Sequence, residues 1–88
     1  MEKYAENIAN EIHGAWERGE LEEWVDDQLG VDFDTMELIV TYGGPTAWVD
    51  IRTGNVFAHY GSNEAKCAIP DDEREALEDY VRFLSLAR

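Results

Sequence analysis

The sequence predicts an α+β fold: two N-terminal helices and one C-terminal helix packed on one face of an antiparallel sheet of three to four strands. Three observations support it. Apolar residues recur every four positions in the first 29 residues, the period changes to two from Met36, and helical spacing returns after Pro70. The 88 residues form a single domain, 1–88, in the predicted order α-α-β-β-β-(β)-α.

The N-terminal segment predicts two helices separated at Gly19. The first helix carries an apolar stripe of Tyr4, Ile8, Ile12 and Trp16. The second carries Leu21, Trp24, Val25 and Leu29, and Gly30 closes it. One helix bent at Gly19 is the alternative, and we favour two.

Three segments with a period of two predict strands: residues 36–42, 46–52 and 56–60. Gly43-Gly44-Pro45 predicts the first turn, and Gly54-Asn55 a two-residue hairpin turn. Residues 31–35 are expected to be a connector, 61–64 a loop, and 65–69 a fourth, edge strand. The last helix begins after Pro70 and buries Leu77, Tyr80, Val81 and Leu84.

The turn at Gly54-Asn55 also predicts a register and two faces. It pairs Arg52 with Phe57 and Asp50 with His59. The core face is then Val49, Ile51, Ala58 and Tyr60. The opposite face is Trp48, Asp50, Arg52, Phe57 and His59. A slip of one residue would exchange the faces.

The composition excludes several classes of protein. Twenty acids against seven bases give a net charge of -13, which excludes unassisted binding to nucleic acid or to an anionic membrane. A hydrophobic content of 44% excludes a disordered acidic tail. The single Cys67 excludes an internal disulfide and a cysteine-based zinc site. Without a signal-peptide pattern or a long apolar run, a cytoplasmic protein is expected.

The negative charge is concentrated in the predicted helices. Residues 1–35 hold 11 acids and 2 bases, residues 36–70 hold 3 and 2, and residues 71–88 hold 6 and 3. The densest group is Glu20, Glu22, Glu23, Asp26 and Asp27, with Asp71, Asp72 and Glu75 as a second patch. Like charges one helical turn apart destabilise a helix, and this surplus exceeds what solubility requires. A surface that imitates nucleic acid is therefore one interpretation, and a solvated face is the other.

The sheet offers a second candidate surface. Trp48, Asp50 and Phe57 are expected on a face that three helices cannot also cover, and exposed aromatic residues are typical interface anchors. The alternative is that these residues form cross-strand pairs that only hold the sheet together.

The sequence predicts no enzyme, no cofactor and no metal site. His13 and Glu17 lie one helical turn apart, but further ligands are not nearby in the sequence. Asp50 with His59 has no nucleophile beside it, and Cys67 is expected to pack as a small apolar residue.

The chain also resembles a known group of proteins. The stretch from Val40 to Asp50, which contains Gly43-Gly44-Pro45, followed by Gly54-Asn55-Val56 and Tyr60-Gly61, is similar to a family of short acidic proteins of phages and bacterial mobile elements. The resemblance covers about the last fifty residues. In size and charge the chain resembles anti-CRISPR and anti-restriction proteins, and no binding residue follows from that likeness.

These observations lead to two functional hypotheses. The first is a phage-encoded inhibitor, an anti-CRISPR protein in the host cytoplasm, whose acidic helices bind a Cas effector or a restriction enzyme and block its nucleic-acid site. The second is a host-regulatory or assembly module that binds a protein partner through Trp48 and Phe57. The sequence does not fix the oligomeric state.

Overall fold

The computed structural model describes residues 2–87 and confirms the α+β class. Two helices come first, α1 (Glu2–Glu17) and α2 (Leu21–Asp26). Five strands follow: β1 (Gly30–Asp32), β2 (Glu37–Thr41), β3 (Thr46–Asp50), β4 (Asn55–Tyr60) and β5 (Asn63–Ala68). The chain ends in helix α3 (Asp71–Ala87).

The strands form one antiparallel sheet in the order β1-β2-β3-β4-β5, so each strand pairs with its neighbours in sequence. The sheet has five strands rather than three to four, because part of the predicted connector pairs as β1. Val31 lies opposite Leu38 and packs against the core, while its neighbours are exposed. Val31 and Phe33 alternate with Asp32 and Asp34, and we treated this short alternation as part of a connector rather than as a strand.

A single hydrophobic core joins the helices to one face of the sheet. Its buried members on the helices are Ala5, Ile8, Ile12, Ala15, Leu21, Val25, Leu77 and Val81. Its buried members on β2, β3 and β4 are Leu38, Ala47, Val49, Val56 and Ala58. All three helices therefore pack on the same face, as predicted.

The two N-terminal helices are separate, as predicted, with Gly19 at φ +71° between them. The second helix is shorter than expected because it ends at Asp26. The Leu29 amide already donates to the Ile39 carbonyl at 3.1 Å, which commits this residue to the sheet. Its side chain is 65% exposed instead of buried. Trp16, also predicted in the core stripe, is 37% exposed.

The predicted register of the β3–β4 hairpin is wrong. Asp50 pairs with Asn55 and Trp48 with Phe57, so the connection comprises the four residues 51–54. Ile51 is the physical reason: it is fully buried, and its amide donates to the Met36 carbonyl at 3.0 Å. The partner of each residue on β4 moves by four positions, from Arg52 to Trp48 for Phe57, and because four is even the face assignments of the paired residues survive.

Two residues depart from the predicted faces. Arg52 lies in the hairpin connection, where a guanidinium nitrogen donates to the Asp34 carbonyl at 3.2 Å. Tyr60 is 53% exposed because it ends β4 beside a two-residue turn, where it pairs with Asn63. The predicted loop at 61–64 is thus only Gly61-Ser62, with Gly61 at φ +61°.

Candidate partner-binding surface

The acidic residues of α2 all lie on its solvent-facing side. Leu21 and Val25 are buried one turn apart and fix which side of the helix meets the core. The helical period turns the acidic positions outward, whereas Trp24 is half-buried against the core. The predicted group Glu20, Glu22, Glu23, Asp26 and Asp27 is exposed at every member.

Most of this group has no compensating base. Glu20 is the exception, because it forms an ion pair with Arg18. Within residues 2–87, no Lys, Arg or His nitrogen lies within 4 Å of the other four carboxylates. Glu22 with Asp26 and Glu23 with Asp27 are therefore like-charge neighbours one turn apart. We call these four residues, Glu22, Glu23, Asp26 and Asp27, the acidic row.

The predicted second patch on α3 is electrostatically different. The Arg74 guanidinium lies 4.0 Å from Asp71 and 3.9 Å from Glu75. Asp72 accepts a hydrogen bond from the Glu73 amide at 2.9 Å, which gives one N–H group in the first turn of the helix a partner. The structure brings these residues to the surface, but much of their charge is locally balanced.

A groove lies beside the acidic row, where α1, α2 and α3 meet. It has a volume of about 650 Å³. Its apolar lining is Trp16, Leu21, Ala76, Tyr80 and Phe83, and its acidic lining is Glu22, Glu23 and Asp79. Phe83 is 60% exposed and its ring stacks on Tyr80, with 6.3 Å between the ring centres.

Sequence reasoning missed three residues of this groove. Phe83 lies off the buried stripe of α3, and an aromatic residue at such a position was the available signal. Trp16 was assigned wholly to the core, and Asp79 was not singled out. No sequence pattern shows that α1, α2 and α3 meet here, because the residues are far apart along the chain.

The hydroxyl of Tyr80 lies among the carboxylates beside the groove, and they raise its pKa. Its hydroxyl donates to an Asp26 carboxylate oxygen at 2.7 Å. This hydrogen bond is the main reason that the pKa of Tyr80 is raised to about 12, and the charges of Asp26, Glu22 and Glu23 add to it. An ionised phenol here would be one more negative charge among carboxylates.

The outer face of the sheet carries the predicted aromatic pair. Trp48 and Phe57 are cross-strand partners with stacked rings, 5.3 Å between centres and 18° between planes. Both are half-buried, and neither belongs to the core shared with the helices. Asp50 lies on the same face, half-buried, and accepts from the Arg52 amide at 3.0 Å. A hollow of about 290 Å³ lies beside the pair, lined also by Glu64 and Lys66.

A carboxylate–histidine cluster joins α1 to α3. Glu73 is almost fully buried, and one carboxylate oxygen contacts His13 Nδ1 at 2.7 Å. His13 Nε2 contacts Glu17. Both ring nitrogens of His13 thus face carboxylate oxygens, and the pKa of His13 is raised, mainly by the hydrogen bond to Glu73. The other Glu73 oxygen is buried without a hydrogen-bond partner among residues 2–87.

The other residues considered for catalysis or metal binding do not form a site. His59 lies opposite Thr46 rather than Asp50, so the predicted acid–base pair is wrong. Cys67 is half-buried on the core-facing side of β5. Over residues 2–87 there is no group of three or more His, Cys, Asp or Glu side chains arranged to hold a metal ion.

Comparisons with known proteins give no relative. No protein-family model matches the chain, and no curated protein and no solved structure matches it. In the part of the chain that the structure describes, none of the helices is long and apolar enough to span a bilayer. A functional assignment therefore rests on the residues of the chain and their arrangement.

Proposed function

We propose that the chain is an acidic, non-enzymatic inhibitor that binds a basic nucleic-acid-binding protein and blocks its access to DNA or RNA. The observation that carries this proposal is the acidic row, four exposed carboxylates with no base within 4 Å over residues 2–87. We further propose a phage-encoded anti-CRISPR protein acting in the bacterial cytoplasm on a Cas protein or complex, with a restriction enzyme as the alternative target.

The physical basis is imitation of a phosphate backbone. Carboxylates one helical turn apart lie about 5–6 Å from each other, a spacing similar to that of phosphates along a strand. A basic groove that binds the acidic row releases its counterions, as it does when it binds nucleic acid. Association is then fast and falls steeply as salt is added.

The charge distribution supports helix α2 as the centre of this surface. On α3, Arg74 and Arg82 lie beside Glu78, at 3.4 and 3.1 Å, and Arg82 is the main reason that the pKa of Glu78 is lowered. Much of the negative charge of α3 is thus already paired. A basic partner gains most from the charges that the protein leaves unpaired.

The test is competition with nucleic acid. A panel of purified Cas effectors and restriction enzymes is loaded with labelled DNA, and displacement by the chain is measured at low and high salt. The test variant carries Glu22→Gln, Glu23→Gln and Asp27→Asn, which leaves the Asp26–Tyr80 bond intact. The matched control carries Glu2→Gln, Glu6→Gln and Asp34→Asn, three exposed acids outside the acidic row, and has the same net charge.

We expect the test variant to lose displacement and the control to retain most of it. Circular dichroism establishes that both are folded. If the two variants lose displacement equally, total charge rather than the acidic row governs binding. If the parent displaces DNA from no member of the panel, the proposed inhibitor function is wrong for those targets.

A second candidate function is supported by the sheet. The stacked Trp48–Phe57 pair lies on the face opposite the helices, where a protein partner of a regulatory or assembly module could bind. Apolar contacts are little affected by salt, so binding through this face persists at high salt, whereas binding through the acidic row does not.

A further inference from the structure

We propose that the groove between α2 and α3 receives an arginine side chain of the basic partner, with the guanidinium between the acidic rim and the aromatic floor. This inference rests on the proposed function and names the contact at its centre. The partner is recognised not by charge alone but by an arginine-bearing segment whose neighbouring apolar residues cover Phe83.

The groove has the two chemical components that a guanidinium requires. Its rim contains the carboxylates of Glu22, Glu23 and Asp79. Its floor contains the aromatic rings of Trp16, Tyr80 and Phe83. A guanidinium donates to carboxylates through a planar fork and stacks on aromatic faces with the same plane, whereas an ammonium is a compact, strongly hydrated charge.

The exposed aromatic area argues that the groove is completed by another molecule. Phe83 is 60% exposed and Trp16 37% exposed, and both line one continuous surface with Leu21. Their solvation is unfavourable, and covering them stabilises a complex. A solvated acidic face meant only for solubility gains nothing from two exposed aromatic rings between its carboxylates.

Charge complementarity selects the occupant. An acidic segment is repelled by the rim, and a second copy of this chain would bring another net charge of -13 to the same place. Proteins that bind nucleic acids present arginines to phosphates and bases, so their binding grooves supply the required side chain. The acidic row can thus contact the phosphate-binding surface while the groove receives one of its arginines.

The direct test uses synthetic peptides. The probe is a short amphipathic helical peptide with arginines on one face and leucines on the other, compared with a version in which lysine replaces every arginine. Binding is measured by calorimetry, and the indole N–H signal of Trp16 in NMR spectra, assigned with Trp16→Phe, reports whether the groove is the site. Phe83→Ala and Asp79→Asn are the test variants, and Leu86→Ala, on the same helix and 88% exposed, is the control.

We expect the arginine peptide to shift the Trp16 signal and to bind more tightly than the lysine peptide. Phe83→Ala should weaken its binding by about twofold to thirtyfold, the range of a cation–π contact. Asp79→Asn should weaken it as well, and Leu86→Ala should not. Equal affinity of the two peptides, an unmoved Trp16 signal, or equal effects of Phe83→Ala and Leu86→Ala would overturn the inference.

The same variants separate this inference from the proposed function. If the substitutions in the acidic row abolish displacement of DNA but Phe83→Ala and the peptide have no effect, the inhibitor stands and the groove contact is wrong. If the arginine peptide binds in the groove but the chain displaces nucleic acid from no target, the groove contact stands and the inhibitor proposal is wrong.

Discussion

The helical layer and the sheet share one apolar core but present different surfaces to solvent. Residues 1–35 and 71–88, which contain the three helices and β1, hold 17 of the 20 acids, whereas residues 36–70, which contain the other four strands, are nearly neutral. The core contains side chains from both layers. The fold therefore depends on the apolar residues between the charges. No member of the acidic row lies in the core, and among them Asp26 joins α2 to α3 through its hydrogen bond with Tyr80.

Helices α2 and α3 differ in how many of their carboxylates lie beside a basic side chain. Arg74 and Arg82 lie among the carboxylates of α3, within 4 Å of three of them, Asp71, Glu75 and Glu78. The acidic row on α2 lacks such arginines over residues 2–87. The pairing on α3 is typical of a helix that stabilises itself, since ion pairs one turn apart support a helix. The contrast indicates that the charges of α2 are available to a partner.

The shared core gives the largest expected effect. Leu77→Ala removes a fully buried side chain of α3 and should lower the free energy of unfolding by about 2–5 kcal/mol, measured by urea denaturation. Leu86→Ala on the exposed side of the same helix should change it by less than about 0.5 kcal/mol. Similar values for the two would mean that α3 is not anchored by the common core.

The hairpin beneath α3 gives the next effect. Gly54 and Gly43 both have positive φ, +78° and +75°, so alanine at either should cost about 1–2 kcal/mol. At Gly54 an added Cβ would also lie 3.2 Å from Arg74 Cδ, whereas at Gly43 it meets nothing within 4 Å. Gly54→Ala should therefore be the more destabilising in thermal unfolding. Equal losses would show that Arg74 moves aside freely.

The aromatic pair of the sheet separates stability from binding. Trp48→Ala with Phe57→Ala removes a stacked pair whose geometry contributes about 0.5–1.5 kcal/mol beyond its buried area. We expect a lower urea midpoint with DNA displacement unchanged. The triple variant of the acidic row should show the reverse: no displacement, and a midpoint that is equal or higher, because neutral side chains remove the repulsion between like charges one turn apart. Loss of displacement in a folded aromatic variant would favour the second candidate function.

The smallest effect is a pH dependence located at His13. Its pKa is raised in the folded state above 6.5, chiefly by the hydrogen bond to Glu73 and further by Glu17. The protonated ring therefore stabilises the fold below pH 6.5, and this contribution is lost as pH rises through the folded pKa.

Melting temperatures across about pH 6 to about pH 9 test this, in the parent and in His13→Gln. The parent should melt at progressively lower temperature as pH rises, and the variant should show a flatter profile. Glu17→Gln should lie between them because Glu73 remains. A variant with the slope of the parent would place the pH dependence elsewhere.

The sequence predicted the elements whose signal is local. The stripes of α1 and α3 are set by residues a few positions apart, and Pro70 with the acids that follow it marks the start of α3. The period of two in β3 and β4 likewise predicted the correct faces, apart from Tyr60 at the end of β4. The spacing of nearby residues is sufficient to predict which side of a helix or strand is buried, because that side is set by residues within the same element.

The features that were missed depend on distant residues. The hairpin register is decided by burial of Ile51 against the segment at Met36, which competes with a tighter turn at Gly54-Asn55. Glu73 follows two exposed acids, yet it is buried beside His13, sixty positions earlier. Charge and spacing identified the acidic row, but the groove beside it exists only where three helices meet.

The purely sequential order of the strands also determines how the chain folds. Each strand pairs with the next one along the chain, so the sheet can form hairpin by hairpin with short loop closures. The helices make the contacts between distant parts of the chain: α1 packs on β4 and β5, which are synthesised long after it, and α2 packs on α3. The face of α1 that packs on these strands can therefore be covered only once the last hairpin has been synthesised.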